Sequence, residues 1–397
     1  MARIASVEDF REHARRRLPH MLFEYIDGGS YAERTLRRNV GAMDALALRQ
    51  RVLKDSSQLE FGVRLFDQDL AMPLILAPIG FAGMFARRGE IQAARAAAAH
   101  GVPFCLSSLS ICDYAEVARG VGVPPWFQCY VIRDRGYMEA LLDRVWDGGA
   151  RVLLLTVDLP TPAARYREVR SGFTDRGLRG LIRQAASGLR HPGWLWDVYL
   201  RGRPHVFGNF TPVMGAGQRS LGDYWSWVRE NFDTSVNWAD LEALRRRWKG
   251  KIIVKGILDA EDARIAASLG VDGVVVSNHG GRQLDGVRSA IEVLPEIVAA
   301  VGQQTSVLMD GGVRSGLDVL RGLALGARGC LIGRAWAFAL AARGGEGVTA
   351  MLDMLKAELR VAMMLTGCTD LRDATLALID RGAMWSGDME QPDIRAR

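Results

Sequence analysis

From residue 73 onward, short apolar runs rich in β-branched residues alternate with segments of helical hydrophobic period, which constrains the fold more than any single motif. The runs fall at 73–77, 102–106, 126–131, 152–157, 252–255, 274–277, 307–309 and 330–332. Each is short and apolar enough to be a strand buried on both faces. Segments of helical period lie between them at 90–100, 114–119, 137–146, 240–248, 259–269, 291–301 and 317–325, and an eighth, 349–365, follows the last run. Eight strand–helix units in sequence predict an α/β fold, the (β/α)8 TIM barrel. One domain is expected over 1–397, with the barrel at about 73–367, a helical segment ahead of it and an insertion at about 171–236 after the fourth strand. Ahead of the barrel, Ser6 with Asp9 predicts a capped helix, and Leu18-Pro19 starts a second that carries Tyr25 and stops at Gly28-Gly29.

In such a barrel the chemistry lies in loops at the C-terminal ends of the strands. The residues expected there are Pro78-Ile79-Gly80, Ser107-Ser108, Gln128 with Tyr130, Thr156 with Asp158 and Arg165, Lys255, Ser277 with His279 and Arg282, Asp310-Gly311-Gly312-Val313-Arg314, and Gly333-Arg334. Nearly every strand therefore delivers a polar or glycine-bearing end to one face. The richest is Ser277 to Gly286, where a histidine, an arginine and paired glycines follow a buried strand. That is what a loop needs to bring an acid/base group and a carboxylate clamp to one ligand.

Composition narrows the possible partners. The net charge of +6 on 397 residues is modest, and no nucleic-acid motif accompanies it. Five widely spaced cysteines without Cys-x-x-Cys argue for reduced thiols rather than a disulfide framework, and six scattered histidines show no metal-ligand spacing. The first twenty residues lack the apolar core of a signal peptide, and the longest apolar run, 72–86, is broken by Pro73, Pro78, Gly80 and Gly83. No transmembrane helix is expected.

Phosphate recognition carries the most specific signal. The last two strand ends, Asp310 to Arg314 and Gly333-Arg334, lie where these barrels often bind phosphate through backbone N–H groups, and both bring an arginine. A nicotinamide site has no support, because no Gly-x-Gly-x-x-Gly follows a strand. Lys255 closes a buried strand and needs negative charge there. Two uses stand open for it, beside the N1–C2=O edge of a flavin or as a Schiff-base lysine.

The run Ser277 to Gly286, with Thr156-Val157-Asp158, Gln128-Cys129-Tyr130, Lys255-Gly256 and Asp310-Gly311-Gly312, resembles the FMN-dependent α-hydroxy-acid dehydrogenase/oxidase family over nearly the whole chain. Asp27-Gly28-Gly29, Ala86 to Glu90, Thr161 to Arg167 and Lys255 to Asp259 are similar to its bacterial respiratory L-lactate dehydrogenase branch. The resemblance implies FMN as cofactor and oxidation of an (S)-2-hydroxy acid, L-lactate to pyruvate first, with electrons passed to membrane quinone. Alternatives are (S)-mandelate or another 2-hydroxy acid as substrate, or a soluble oxidase that uses oxygen. A barrel that binds a phosphate ligand without redox chemistry is the reading from a different class. By the resemblance, His279 is the base and Asp158 stabilises its imidazolium, while Arg165 and Arg282 hold the substrate carboxylate. Tyr25 and Tyr130 bond the carboxylate and the hydroxyl or keto oxygen. FMN is expected at Pro78, Ile79, Gly80, Ser107, Gln128, Thr156, Lys255, Ser277, Asp310, Gly311, Gly312, Arg314, Gly333 and Arg334. Gly80, where several oxidases carry alanine, tilts against oxygen as acceptor. A homotetramer is expected by analogy.

The insertion is unusual in composition. From Ser171 to Ser220 it carries Arg176, Arg179, Arg183, Arg190, Arg201, Arg203 and Arg219 against Asp175 and Asp197, with Trp194, Trp196 and Tyr199 interleaved. Basic side chains beside amphipathic aromatics suit an anionic membrane surface, and a lid whose aromatics pack on the barrel is the competing reading. The resemblance places here the membrane-contacting region of quinone-linked members. It implies a peripheral enzyme on the cytoplasmic face of the inner membrane, held through residues 171–220.

Overall fold

The computed structural model describes residues 3–214 and 221–380. Eight parallel strands form one sheet: β1 (Leu74–Leu76), β2 (Cys105–Ser107), β3 (Trp126–Cys129), β4 (Val152–Thr156), β5 (Lys251–Ile257), β6 (Gly273–Val276), β7 (Ser306–Met309) and β8 (Cys330–Ile332). β8 pairs back onto β1 with Leu331 opposite Ile75. A bridge from Leu76 to Phe104 joins β1 to the segment entering β2, so the sheet closes into the expected barrel.

Strand alternation sorts the side chains into two cores. Inward residues from all eight strands, Ile75, Cys105, Trp126, Leu154, Ile253, Val275, Leu308 and Leu331, fill the barrel. Outward residues such as Leu153, Val254, Val274 and Ile332 pack under the helices in a second cluster. Each such side chain contributes roughly 1.5–3 kcal/mol relative to exposure. Counting inward by two from the barrel layer reaches Ser107, Gln128, Thr156, Lys255, Ser277, Asp310 and Gly333. The polar strand ends are thus the top layer of the barrel itself, and the pleat aims them at one point.

The bottom is closed by an element absent from the sequence expectation, an antiparallel hairpin of Val63–Leu65 and Gln68–Leu70. Leu65 and Leu70 join the inner core, Phe66 meets the Trp126 ring edge-on at 5.6 Å, and Trp126 Nε1 donates to Gln68 Oε1. With three residues a strand, the hairpin is too short for periodicity to reveal.

The expected helices form, with small shifts at their ends. Ser6 and Asp9 cap Val7–Arg17 reciprocally, and His20–Asp27 ends at Gly28. The largest difference follows β8. Helix begins at Arg334, breaks at Arg343 and Gly344, where Gly344 takes φ 63°, and resumes to Thr366. The first piece was missed because residues 335–341 are buried all round and so carry no amphipathic stripe.

The helix Tyr166–Ser171 leads into the insertion, which carries further helices, including Gly177–Leu189 and Leu221–Asn231. The insertion's aromatics divide between the two readings. Trp194 is buried and donates Nε1 to Met84 O at 2.7 Å, and Tyr199 stacks against His205. Trp196 stays exposed, together with Leu178, Ile182, Leu189 and Leu200. Residues 215–220, Arg219 among them, lie outside the described residues. No helix among the described residues is long and apolar enough to cross a membrane.

Candidate active site

The C-terminal mouth of the barrel holds a cleft that opens to solvent. It is lined by every expected site residue except Gln128, Asp158 and Ser277. Those three bond residues that line it. Ser107 Oγ donates to Gln128 Oε1 at 3.1 Å, Lys255 Nζ donates to Ser277 Oγ at 2.9 Å, and the His279 N–H donates to the same hydroxyl at 3.0 Å.

His279 follows β6 with φ 57°, and Gly280 and Gly281 continue in the left-handed region at 63° and 73°. A side chain at Gly281 would meet the Leu36 backbone N at 2.5 Å, so this turn requires glycine there. A histidine in that region stores strain of about 1–3 kcal/mol, offset by the bond to Ser277. The turn sets His279 Nδ1 2.8 Å from Asp158 Oδ1. Burial alone would raise Asp158, but His279, protonated at the acid pH where the carboxyl titrates, and Lys255 outweigh it and hold the carboxyl below its usual range. An ionised Asp158 only accepts, so Nδ1 carries the proton and Nε2 is left as a base. Burial pushes the His279 pKa down further than Asp158 lifts it, which keeps the imidazole neutral at neutral pH.

Lys255 is buried at 4% exposure, with Nζ 3.2 Å from Asp310 Oδ2 and 3.8 Å from Asp158 Oδ2. Burial would depress it, yet Asp310 and Asp158 outweigh burial and raise its pKa. A Schiff-base lysine needs the opposite shift, so Lys255 is a fixed cation.

Two arginines line the same cleft as His279. Arg165, at the start of Tyr166–Ser171, lies over the Trp225 ring at 4.9 Å. Arg282 lies over the Tyr25 ring at 4.8 Å and donates Nη1 to the Tyr25 and Gly28 carbonyls. Tyr25 is stacked on Phe173 at 4.9 Å, and burial raises the pKa of both Tyr25 and Tyr130. Both phenols therefore stay protonated donors. Reasoning from sequence missed Glu168, which bonds both arginines at 3.1 Å, and Trp225. The i,i+3 spacing from Arg165 signals Glu168 once a helix is known there. Trp225 had no signal, because it sits on the last helix of an aperiodic insertion.

The residues present fit a flavin mononucleotide. Gln128 Nε2, Thr156 Oγ1 and Asp310 Oδ1 are buried without a hydrogen-bond partner among the described residues, as donors and acceptors for a polar ring edge would be. Gly311 and Gly312 turn with φ 87° and 90°, and the helix starting at Arg334 has no side-chain cap on its first N–H groups. Arg314 lines this end of the cleft. Arg334 differs from expectation in that its guanidinium is already engaged, donating to the Ile26, Gly28 and Gly280 carbonyls. It ties the Tyr25 helix end to the His279 turn.

A model of the family described as FMN-dependent dehydrogenase matches residues 14–381. The chain is 55% identical over 385 residues to an L-lactate dehydrogenase of Caulobacter sp. (strain K31), covering 97% of this chain and 99% of that one. It is 51% identical over 372 residues to an L-lactate dehydrogenase of Pseudomonas putida (strain GB-1), covering 94% of this chain and 97% of the relative. Among solved structures, that of the monotopic membrane protein (S)-mandelate dehydrogenase is similar with a TM-score of 0.88 and 33% identity, over 96% of this chain and 100% of that one. With matches of this length, on a barrel whose mouth has donors and acceptors suited to a flavin, the chain belongs to the FMN-dependent dehydrogenases.

Proposed function

We propose that the protein oxidises L-lactate to pyruvate and passes the electrons to a membrane quinone. The observation that carries the reading is the gathering of a neutral, Asp158-oriented His279 and two arginines in one cleft. Substrate chemistry follows from the names of relatives at 51–55% identity, against 33% for the mandelate enzyme. A larger 2-hydroxy acid is the second reading, supported by that structural likeness.

Arg165 and Arg282 bind the substrate carboxylate, for which two planar guanidinium forks are well shaped. Tyr25 and Tyr130 donate to the carboxylate and to the hydroxyl oxygen, which becomes the keto oxygen. With the substrate so oriented, His279 Nε2 takes a proton from it, and Asp158 stabilises the imidazolium that forms. FMN, when bound, supplies the two-electron acceptor. Pro78–Gly80, Ser107, Gln128, Thr156 and Lys255 would hold its ring, with Ser277 fixing Lys255. Asp310 to Arg314 and Gly333 would hold its phosphate, with Arg334 bracing the wall. The fixed positive charge of Lys255 would favour negative charge on a ring edge placed beside it.

Membrane attachment on the cytoplasmic face of the inner membrane is assigned to the insertion, through exposed Leu178, Ile182 and Trp196 beside its arginines. A homotetramer is the expected assembly, tested by light scattering. The deciding experiment mixes the holoenzyme anaerobically with a panel of 2-hydroxy acids and follows flavin bleaching, then compares reoxidation by air and by a quinone analogue. L-lactate is expected to bleach fastest and quinone to reoxidise fastest. Fast reoxidation by air sinks the dehydrogenase reading, and fastest bleaching by (S)-mandelate sinks lactate.

A further inference from the structure

Glu168 is a buried carboxylate that the roles above leave unused. Its side chain is 2% exposed and lies one helical turn beyond Arg165. Its Oε1 accepts from Arg165 Nη1 and from Arg282 Nη2, both at 3.1 Å, joining arginines delivered by the ends of β4 and β6. Its Oε2 is buried with no hydrogen-bond partner among the described residues. Backbone engages further donors of the pair, through Arg165 Nε to Arg282 O and Arg282 Nη1 to the Tyr25 and Gly28 carbonyls.

Two like charges side by side in a dry site repel strongly unless a counter-charge lies between them. A single carboxylate oxygen supplies it here and also sets the separation of the two forks. Two guanidiniums and one carboxylate leave a net single positive charge facing the cleft. One substrate carboxylate neutralises it, whereas a dianion carries one negative charge too many. Such a mismatch rejects a wrong ligand as effectively as a steric clash.

We propose that Glu168 is a positioning and specificity-determining residue. By bridging Arg165 and Arg282 and cancelling one of their charges, it matches the site to monocarboxylates and against dicarboxylates. This rests on the reading that both arginines receive the substrate carboxylate.

The test uses FMN-loaded enzyme near neutral pH and measures Kd for propionate and for malonate, three-carbon acids of one and two charges, from the flavin absorbance change. Wild type is expected to prefer propionate. Glu168→Gln keeps an acceptor oxygen but removes the charge, and moves the ratio towards malonate by on the order of tenfold to a hundredfold. Glu168→Asp keeps the charge while withdrawing the bridge, so it weakens both ligands yet leaves the ratio within about threefold of wild type. An unmoved ratio in Glu168→Gln, or an equal shift in Glu168→Asp, overturns the proposal, and if the glutamine variant does not retain flavin the charge-removing arm is read on Glu168→Ser, where an unmoved ratio likewise overturns it. A role confined to stability lowers flavin retention without moving the ratio. Arg165→Met separates the two possible failures. If it leaves both Kd values unchanged, the arginine reading is wrong, and if it weakens both while the Glu168→Gln ratio stays fixed, only the charge matching is wrong.

Discussion

Asp158→Asn tests the arrangement around His279 most directly, because it should move rate and pH dependence in ways that simple damage does not. Two unit charges 2.8 Å apart, the Asp158 to His279 separation, attract by about 6 kcal/mol at an effective dielectric of about 20. Lys255, 3.8 Å from the same carboxylate, already draws on that charge, and asparagine keeps an acceptor for Nδ1–H. Halving the figure leaves about 3 kcal/mol of imidazolium stabilisation, or about a hundredfold in the rate of flavin reduction. The pH limb moves too. Activity requires neutral His279 and is lost as pH falls through its pKa, which burial holds below the ordinary 6.5 while Asp158 partly lifts it. Removing Asp158 takes away the lifting charge, so the acid limb shifts to lower pH even as the plateau falls. Stopped-flow bleaching by L-lactate across pH 4.5–8 on the order of half-unit steps measures both. A slower plateau with an unmoved or raised limb refutes the assignment of Asp158 as the charge partner of His279.

Two further outcomes are expected. Arg167 ties Glu24 and Asp27, which flank Tyr25, to the segment carrying Arg165, so Arg167→Met should lower stability by about 2 kcal/mol, less than a fully buried pair because Arg167 is 26% exposed. Burial would raise Asp27, but Arg11 and Arg167 outweigh it, so its stabilisation is present above its ordinary pKa of 3.8 and lost as pH falls through the lower folded value; the variant should unfold at higher pH in an acid titration followed by circular dichroism. Replacing Leu178, Ile182 and Trp196 together by serine should release the protein from anionic vesicles in a sedimentation assay while leaving anaerobic bleaching intact, and undiminished pelleting would remove this face as the contact.

Much of the site was legible because a parallel barrel writes its geometry into parity. A buried strand fixes which residues point inward, and the next inward position beyond the apolar layer is a top-layer residue, as for Leu154 and Thr156, Ile253 and Lys255, or Leu308 and Asp310. The left-handed turn at His279 was legible through its paired glycines. The floor hairpin was not, because its strands are too short to show a period. Nor was the helix after β8, where all-round burial erases amphipathicity.

Strand–helix alternation, the polar layer and the glycine turn were set by the chain alone, since each depends on neighbours close in sequence. Barrel closure decided the rest. Arg165 and Arg282 stand 117 residues apart, and only the closed sheet brings them onto one glutamate oxygen. The same closure turns Lys255 into a fixed cation by setting Asp158 and Asp310 beside it. Charge interactions depend on distance in space and on exclusion of water, and local pattern encodes neither. For the same reason tertiary packing divided the insertion's aromatics, drawing Trp194 onto the Met84 carbonyl and leaving Trp196 exposed.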